Sequence, residues 1–299
     1  MNAIEIKNLS KNFKQKQAVA GLDMTVPVGS IYGFIGENGS GKSTTEKMIC
    51  GLLLPSGGNI KLFGKDYTDA DVRAKMGVLI EAPGCFSNMS VWNNMKLQAA
   101  NLGMKKSDTE IQKVLKMVRM EGAAGNKYKN CSLGMKQRIG IAMALLGNPE
   151  LLVLDEPING LDADGMRIMR EVLCDLAENH DVTILISSHI LGELEKIATH
   201  YGIIRGGKMI AEMTADELEA NCRIYVALQC KDISRAKAIL SCKYSRVEED
   251  ETGFIRVYDA VTPEEIVSHL YENGILVNEI KTDKISLEEY YIDLMKEGR

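Results

Sequence analysis

The apolar run Ile31-Tyr32-Gly33-Phe34-Ile35 breaks directly into Gly36-Glu37-Asn38-Gly39-Ser40-Gly41-Lys42-Ser43-Thr44. A buried strand, a glycine-rich loop and a helix start in that order form a phosphate loop, and they commit this part of the chain to an α/β fold with a parallel sheet. Glycines at 36, 39 and 41 let the backbone turn several NH groups toward one point. The positive end of the helix that begins there favours an anion at the same point. Lys42 adds a point charge, and the Ser43 hydroxyl is a ligand suited to Mg²⁺. With Asn38, Ser40 and Thr44 the loop is a site for a nucleoside triphosphate.

A second element of the same chemistry is Leu151-Leu152-Val153-Leu154-Asp155-Glu156-Pro157. Four apolar residues ending in two carboxylates describe a buried parallel strand whose C-terminal tip reaches the ligand. Taken alone, such a run is also an ordinary core strand with an acidic end. Paired with the phosphate loop, Asp155 is expected to hold the Mg²⁺ shell through water and Glu156 to polarise the attacking water. Their different surroundings give the two acids different roles.

Between these elements lies Cys131-Ser132-Leu133-Gly134-Met135-Lys136-Gln137-Arg138, followed by the helix-like run from Ile139 to Leu146. Here the chain resembles the ATP-binding-cassette (ABC) family. The stretch is similar to the family's signature loop, commonly Ser-Gly-Gly-Gln, at Ser132 and Gly134, and departs from it at Leu133 and Met135. The resemblance implies that Ser132 and Gly134 contact the γ-phosphate of ATP bound to the other protomer. It implies that Asn159-Gly160-Leu161-Asp162 communicates between two nucleotide sites and that His189 hydrogen-bonds the γ-phosphate. Phe13 either stacks on adenine, as the family's N-terminal aromatic does, or packs in a small N-terminal sheet.

One position departs further. Where the family usually has glutamine, this chain has Glu81, which while ionised accepts hydrogen bonds without donating them. It is expected to bind Mg²⁺ or its water, at the cost of negative charge near phosphate. Glu81 and Ser-Leu-Gly-Met-Lys-Gln-Arg together make the chain similar to bacterial exporters that confer resistance to bacitracin and lantibiotics.

The expected fold is α/β, a P-loop NTPase of ABC type: a parallel core sheet with helices, a small antiparallel β-subdomain and a helical signature subdomain. The nucleotide-binding domain is expected over 1–220, with its helical part over about 86–148, and a small α/β accessory domain over 221–299. Ser107-Asp108-Thr109-Glu110, Thr262-Pro263-Glu264-Glu265 and Ser286-Leu287-Glu288-Glu289 have capping-box spacing and predict helix starts. A turn is expected at Pro55-Ser56-Gly57-Gly58. The accessory domain carries no catalytic constellation, and its sequence reads as a small α/β unit that packs on the core or on its twin, ahead of the alternative of a separate ligand-binding module.

Composition narrows the function. The seven cysteines are scattered, which suggests neither a disulfide framework nor a zinc site. Net charge is −5 with no basic block, so no nucleic-acid partner is expected. No apolar run approaches the ~20 residues of a membrane span, and Met1 to Lys7 lacks a signal peptide's apolar core.

The resemblance therefore implies a cytoplasmic ATPase using ATP and Mg²⁺, peripheral on the inner face of the cell membrane. It would pair with a second copy of itself, each ATP lying between Lys42, Ser43 and Asp155 of one chain and Ser132 and Gly134 of the other. A separate transmembrane permease would be its second partner, with Glu81 to Val91, including Phe86 and Met89, as the docking surface. Antimicrobial-peptide or drug export is the expected role. Rival readings are a soluble non-transport ABC ATPase, which usually has tandem cassettes or a coiled-coil insertion, and an ATP-responsive sensor, against which Asp155, Glu156 and His189 argue.

Overall fold

The computed structural model describes residues 1–297 apart from 15, 222, 223, 251 and 260. It divides into two units, Met1–Ala215 and Asp216–Arg299. In chain order the first contains β1 (Asn2–Phe13), β2 (Lys16–Pro27), β3 (Ile31–Ile35), α1 (Lys42–Ile49), β4 (Gly57–Leu62), β5 (Lys65–Asp66), α2 (Ala70–Arg73) and β6 (Met76–Leu79). It continues through α3 (Val91–Asn101), α4 (Asp108–Met117), α5 (Leu133–Leu145), β7 (Leu151–Asp155), α6 (Ala163–His180), β8 (Thr183–Ser188), α7 (Leu191–Leu194), β9 (His200–Arg205) and β10 (Lys208–Thr214).

The core sheet has six strands in the order β10-β9-β3-β8-β7-β6. All neighbours are parallel except β10, which runs antiparallel to β9 at the edge. β3, β7 and β8 are buried along their whole length, which explains their unbroken apolar runs: strands covered on both faces do not alternate. Because these strands are parallel, the segments following β3, β7 and β8 emerge at one edge of the sheet, where open α/β sheets bind ligands.

The antiparallel subdomain is the sheet β2-β1-β4-β5. Ile4 with Ile6, and Leu22, Met24 and Val26, are buried at the period-two spacing of a strand, while Leu9 and Val19, three residues from Ile6 and Leu22, are buried too because the β1–β2 register shifts around Leu9. The expected turn at 55–58 stops short: Gly57 already opens β4. Gly58 is a close-approach glycine, with φ 87° and a Cβ position only 2.3 Å from the Asn8 carbonyl oxygen.

In the helical section, Ile111, Val114, Leu115 and Val118 are buried, as the spacing along α4 predicts. Its capping box does not form. Ser107 sits at φ −100°, ψ −9°, in the helical region, and its hydroxyl makes no capping bond, because that bond needs an extended N-cap backbone.

α8 (Ala215–Asn221) begins at the division between the units. The second unit then runs β11 (Ile224–Cys230), α9 (Ile233–Lys243), β12 (Val247–Glu249), β13 (Ile255–Val257), α10 (Pro263–Glu272), β14 (Val277–Lys284) and α11 (Leu287–Glu297). Its antiparallel sheet has the order β12-β13-β11-β14, the split βαβ arrangement of ferredoxin-like folds. Val226, Leu228, Leu240, Ile255, Ile266 and Leu270 fill its core. Here the capping signals hold: the Thr262 hydroxyl accepts from the Glu265 amide at 3.3 Å, and Ser286 and Glu289 cap each other at 3.2 and 3.1 Å.

Candidate functional site

The phosphate loop joins β3 to α1, and two of its glycines are sterically required. A Cβ on Gly36 would lie 2.5 Å from the Ile204 carbonyl oxygen, and one on Gly41 would lie 2.7 Å from that of Ala18. Gly41 also caps α1 at φ 113°, a conformation that other residues rarely adopt. Lys42 is 6% exposed, and its ammonium donates to the carbonyls of Gly36 at 2.6 Å and Glu37 at 3.2 Å. It is thus folded onto the loop it serves. Ser40 is buried behind Gly36.

The tips of β7 and β8 supply the opposite wall. Asp155 Oδ1 accepts from the Ser43 hydroxyl at 3.3 Å and from the Ser187 hydroxyl at 2.8 Å. Glu156 is the first residue off β7 and takes a left-handed φ of 52°, which re-aims the chain away from the sheet. Its amide donates to Ser187, and its Oε2 lies 2.6 Å from His189 Nδ1. The two residues read separately from the sequence are therefore a hydrogen-bonded pair.

These elements enclose a cleft of ≈ 510 Å³. Phe13, Asn38, Gly39, Gly41, Lys42, Ser43, Thr44, Asp155, Glu156 and His189 line it, together with Lys16, Ala18 and Asn159, which sequence reasoning did not single out as contacts. Phe13 is 46% exposed, so it stands at the rim instead of packing into the sheet core. Among the described residues no cluster of three or more His, Cys, Asp or Glu side chains forms a metal cage. The oxygen pair Ser43 and Asp155 fits a hard cation that takes few protein ligands and completes its shell with phosphate and water, as Mg²⁺ does.

Five expected residues are not part of the cleft lining: Gly36 and Ser40 lie within the phosphate loop behind it, and Ser132, Gly134 and Glu81 stand elsewhere. Ser132 caps α5, its hydroxyl accepting from the Met135 amide at 3.2 Å, and it faces solvent with Leu133, which is 49% exposed. Gly134 follows on the same helix turn, against Leu161. Glu81, expected at the metal, is bound instead to Lys47 at 2.7 Å. The hydrogen bond from Lys47, and then its charge, hold the Glu81 carboxyl below the usual carboxylate range. Beside it a second groove of ≈ 400 Å³ is lined by apolar residues including Leu52, Val78, Ile80, Pro83, Leu102 and Met143.

Ser187 and Lys16 carry signals that register reveals. Ser187 is the direct partner of Asp155 across β7 and β8, and Lys16 is that of Phe13 across β1 and β2.

Fold and cleft together define a P-loop nucleotide-binding cassette. The profile of the ABC transporter family matches residues 19–159. The chain is 37% identical over 300 residues to the bacitracin transport ATP-binding protein BcrA of Bacillus licheniformis, covering 99% of this chain and 98% of that protein. It is 39% identical over 216 residues to the lantibiotic transport ATP-binding protein SrtF of Streptococcus pyogenes, covering 72% and 93%. Among solved structures, cbiO1 from Clostridium perfringens, part of the ABC transporter complex cbiONQ, matches 73% of the chain and 91% of its own at TM-score 0.67 and 26% identity. The chain belongs to the ATP-binding proteins of ABC transporters and is an ATPase of that family. Among its described residues no helix is long and apolar enough to cross a membrane.

Proposed function

We propose that this chain is the ATP-hydrolysing subunit of an exporter of antimicrobial peptides or related drugs, working as a dimer on a separate membrane permease. The carrying observation is the pairing of one cleft that gathers Lys42, Ser43, Asp155, Glu156 and His189 with an exposed signature helix start, at Ser132 and Gly134, outside it. Such a cleft is completed when a second copy, turned head to tail, brings its own Ser132 and Gly134 against the γ-phosphate.

Lys42 binds the phosphates after leaving the loop carbonyls, and the NH groups of residues 38–43 cradle them. Phe13 supplies a face for the adenine. Ser43 and Asp155 would hold Mg²⁺, which would supply neutralisation of charge on the phosphate oxygens. Glu156, aimed by His189, orients the water whose oxygen forms the new bond to the γ-phosphorus as the bond to ADP breaks. His189 then stabilises the charge on the departing phosphate. Losing a group that both copies grip lets them separate. Catalysis here is positioning and electrostatics.

The groove beside Glu81, walled by side chains such as Leu52, Ile80 and Met143, fits a cytoplasmic helix of the permease, with Phe86, 59% exposed, at the docking surface. We assign Glu81 to the link between that groove and the nucleotide, its bond to Lys47 being the contact that docking exchanges. The chain would then sit at the cytoplasmic face of the membrane. The bacitracin and lantibiotic relatives support the substrate class.

Expression with its permease in a bacitracin- and lantibiotic-sensitive bacterium tests this reading. Tolerance to one of these peptides should rise, and Glu156→Gln should abolish the gain. Unchanged sensitivity with both proteins in the membrane and ATP turning over would overturn the substrate assignment.

A further inference from the structure

His189 is the first residue beyond β8, and Ile190 leads straight from it into α7, a helix of only four residues. A helix that short does not hold itself together in water, so contacts with the rest of the fold decide where it sits. Two of its backbone bonds, from the Glu193 and Leu194 amides to the Ile190 carbonyl, are long at 3.3 and 3.4 Å. Leu191 and Leu194 are buried, and Leu194 lies against Gly33 of β3. Such apolar contacts hold the helix down without fixing its direction.

Glu193 supplies the direction. It is 8% exposed, and its two carboxyl oxygens are bound to different cations. Oε1 accepts from the Lys196 ammonium at 2.7 Å, three residues on in the same segment, and Oε2 accepts from the Arg170 guanidinium on α6. The Lys196 bond stays inside its own segment and cannot locate it, whereas the Arg170 bond spans two elements. α6 is an 18-residue helix capped by Asp162, whose carboxylate accepts from the Gly165 amide at 2.8 Å, and Asn159, just ahead of it, lines the cleft. One end of the Arg170–Glu193 pair therefore belongs to the segment that carries His189, and the other to a helix rooted at the same cleft.

We propose that Arg170 and Glu193 are positioning residues for His189: their ion pair ties the short α7 segment to α6 and so keeps the imidazole on Glu156. This rests on the nucleotide-site reading above and deepens it.

The test measures ATP turnover by the full-length protein and the ring NMR signals of its four histidines, with His189 assigned from the His189→Ala variant. Arg170→Ala cuts the tie while leaving Glu193 paired with Lys196, so no buried charge is orphaned. It should lower kcat about 10–100-fold, within what a misplacement of about 1 Å costs, with KM for ATP unchanged. It should also move the His189 signal while those of His200 and His269 stay in place. Lys196→Ala, which breaks only the local bond, should match the wild type in both readouts. An Arg170→Ala protein with the wild-type kcat or an unmoved His189 signal, one that fails to fold, or a Lys196→Ala protein as impaired as Arg170→Ala would overturn the proposal. A wild-type protein that does not turn over ATP, or a His189→Ala variant that does so at the parental rate, would instead remove the nucleotide-site reading beneath it.

Discussion

In the first unit, charged and hydroxyl groups are carried into the interior where the core strands end: Lys42, Glu46, Asp155, Ser187 and Ser188 are all buried. In the second unit the buried described residues are apolar or aromatic, and the charges are paired at its surface. There Arg256 reaches Asp250 at 3.1 Å and Glu289 at 2.6 Å while its guanidinium lies over Tyr225, and Arg246 joins Glu248 and Asp293. Buried polar groups weaken a fold unless something compensates them. The first unit buries charge where a ligand can compensate it, whereas the second keeps its charges in surface pairs and, among its described side chains, leaves the buried Tyr244 hydroxyl without a partner. Catalysis should therefore be damaged by changes in one region, and stability by changes in the other.

The sharpest contrast is expected from Glu156→Gln, which removes the carboxylate from the water. Phosphate release should fall by about 10²–10⁴-fold, the range for loss of a positioned base, with ATP binding preserved. Near-parental turnover would take Glu156 out of its role. Next in size is Leu270→Ala in the fully buried core of the second unit. It should cost about 3 kcal/mol of that unit's stability in denaturant melts, with ATP turnover at permissive temperature unchanged. A matching fall in turnover would show that the two regions are not separable in this way.

Lys42→Ala should weaken ATP binding by about 2 kcal/mol, on the order of thirtyfold, by equilibrium titration, and should leave thermal stability in the absence of nucleotide nearly unchanged. The smallest effect is acid-dependent. Burial pushes the Asp250 carboxyl upward, but hydrogen bonds from Thr252, the Phe254 amide and Arg256 outweigh it and hold the group below the usual range. A depressed carboxylate adds stability above its unfolded pKa of about 3.9, and that contribution disappears as the pH falls through the lower folded value. Melts of the second unit should therefore lose stability below about pH 4, and Asp250→Asn should flatten that response.

Much of the site was legible from the sequence because it depends on local pattern. Strands buried on both faces leave unbroken apolar runs, and the loop between β3 and α1 needs glycine where a Cβ would strike backbone. What escaped depends on register and on single dihedrals. Ser187 meets Asp155 only because β8 pairs with β7 in that alignment. The pairing of Glu156 with His189 follows from the left-handed backbone at Glu156, and the cap at Ser107 is lost to one helical ψ angle. β14 was missed because it is an edge strand, mostly exposed and polar, with no apolar alternation to announce it. Glu46 lies two residues past the phosphate-loop motif, and nothing in its neighbours' identities indicates a buried acid there.

The central claim is that a nucleotide in the Lys42–Asp155 cleft is completed by the Ser132 and Gly134 of a second copy. Light scattering of Glu156→Gln with saturating ATP and Mg²⁺ tests it directly. The account predicts a dimer that forms with ATP, fails to form with ADP, and is lost when Ser132→Arg is added. A protein that binds ATP in the cleft and stays monomeric, or a dimer indifferent to Ser132→Arg, would contradict it.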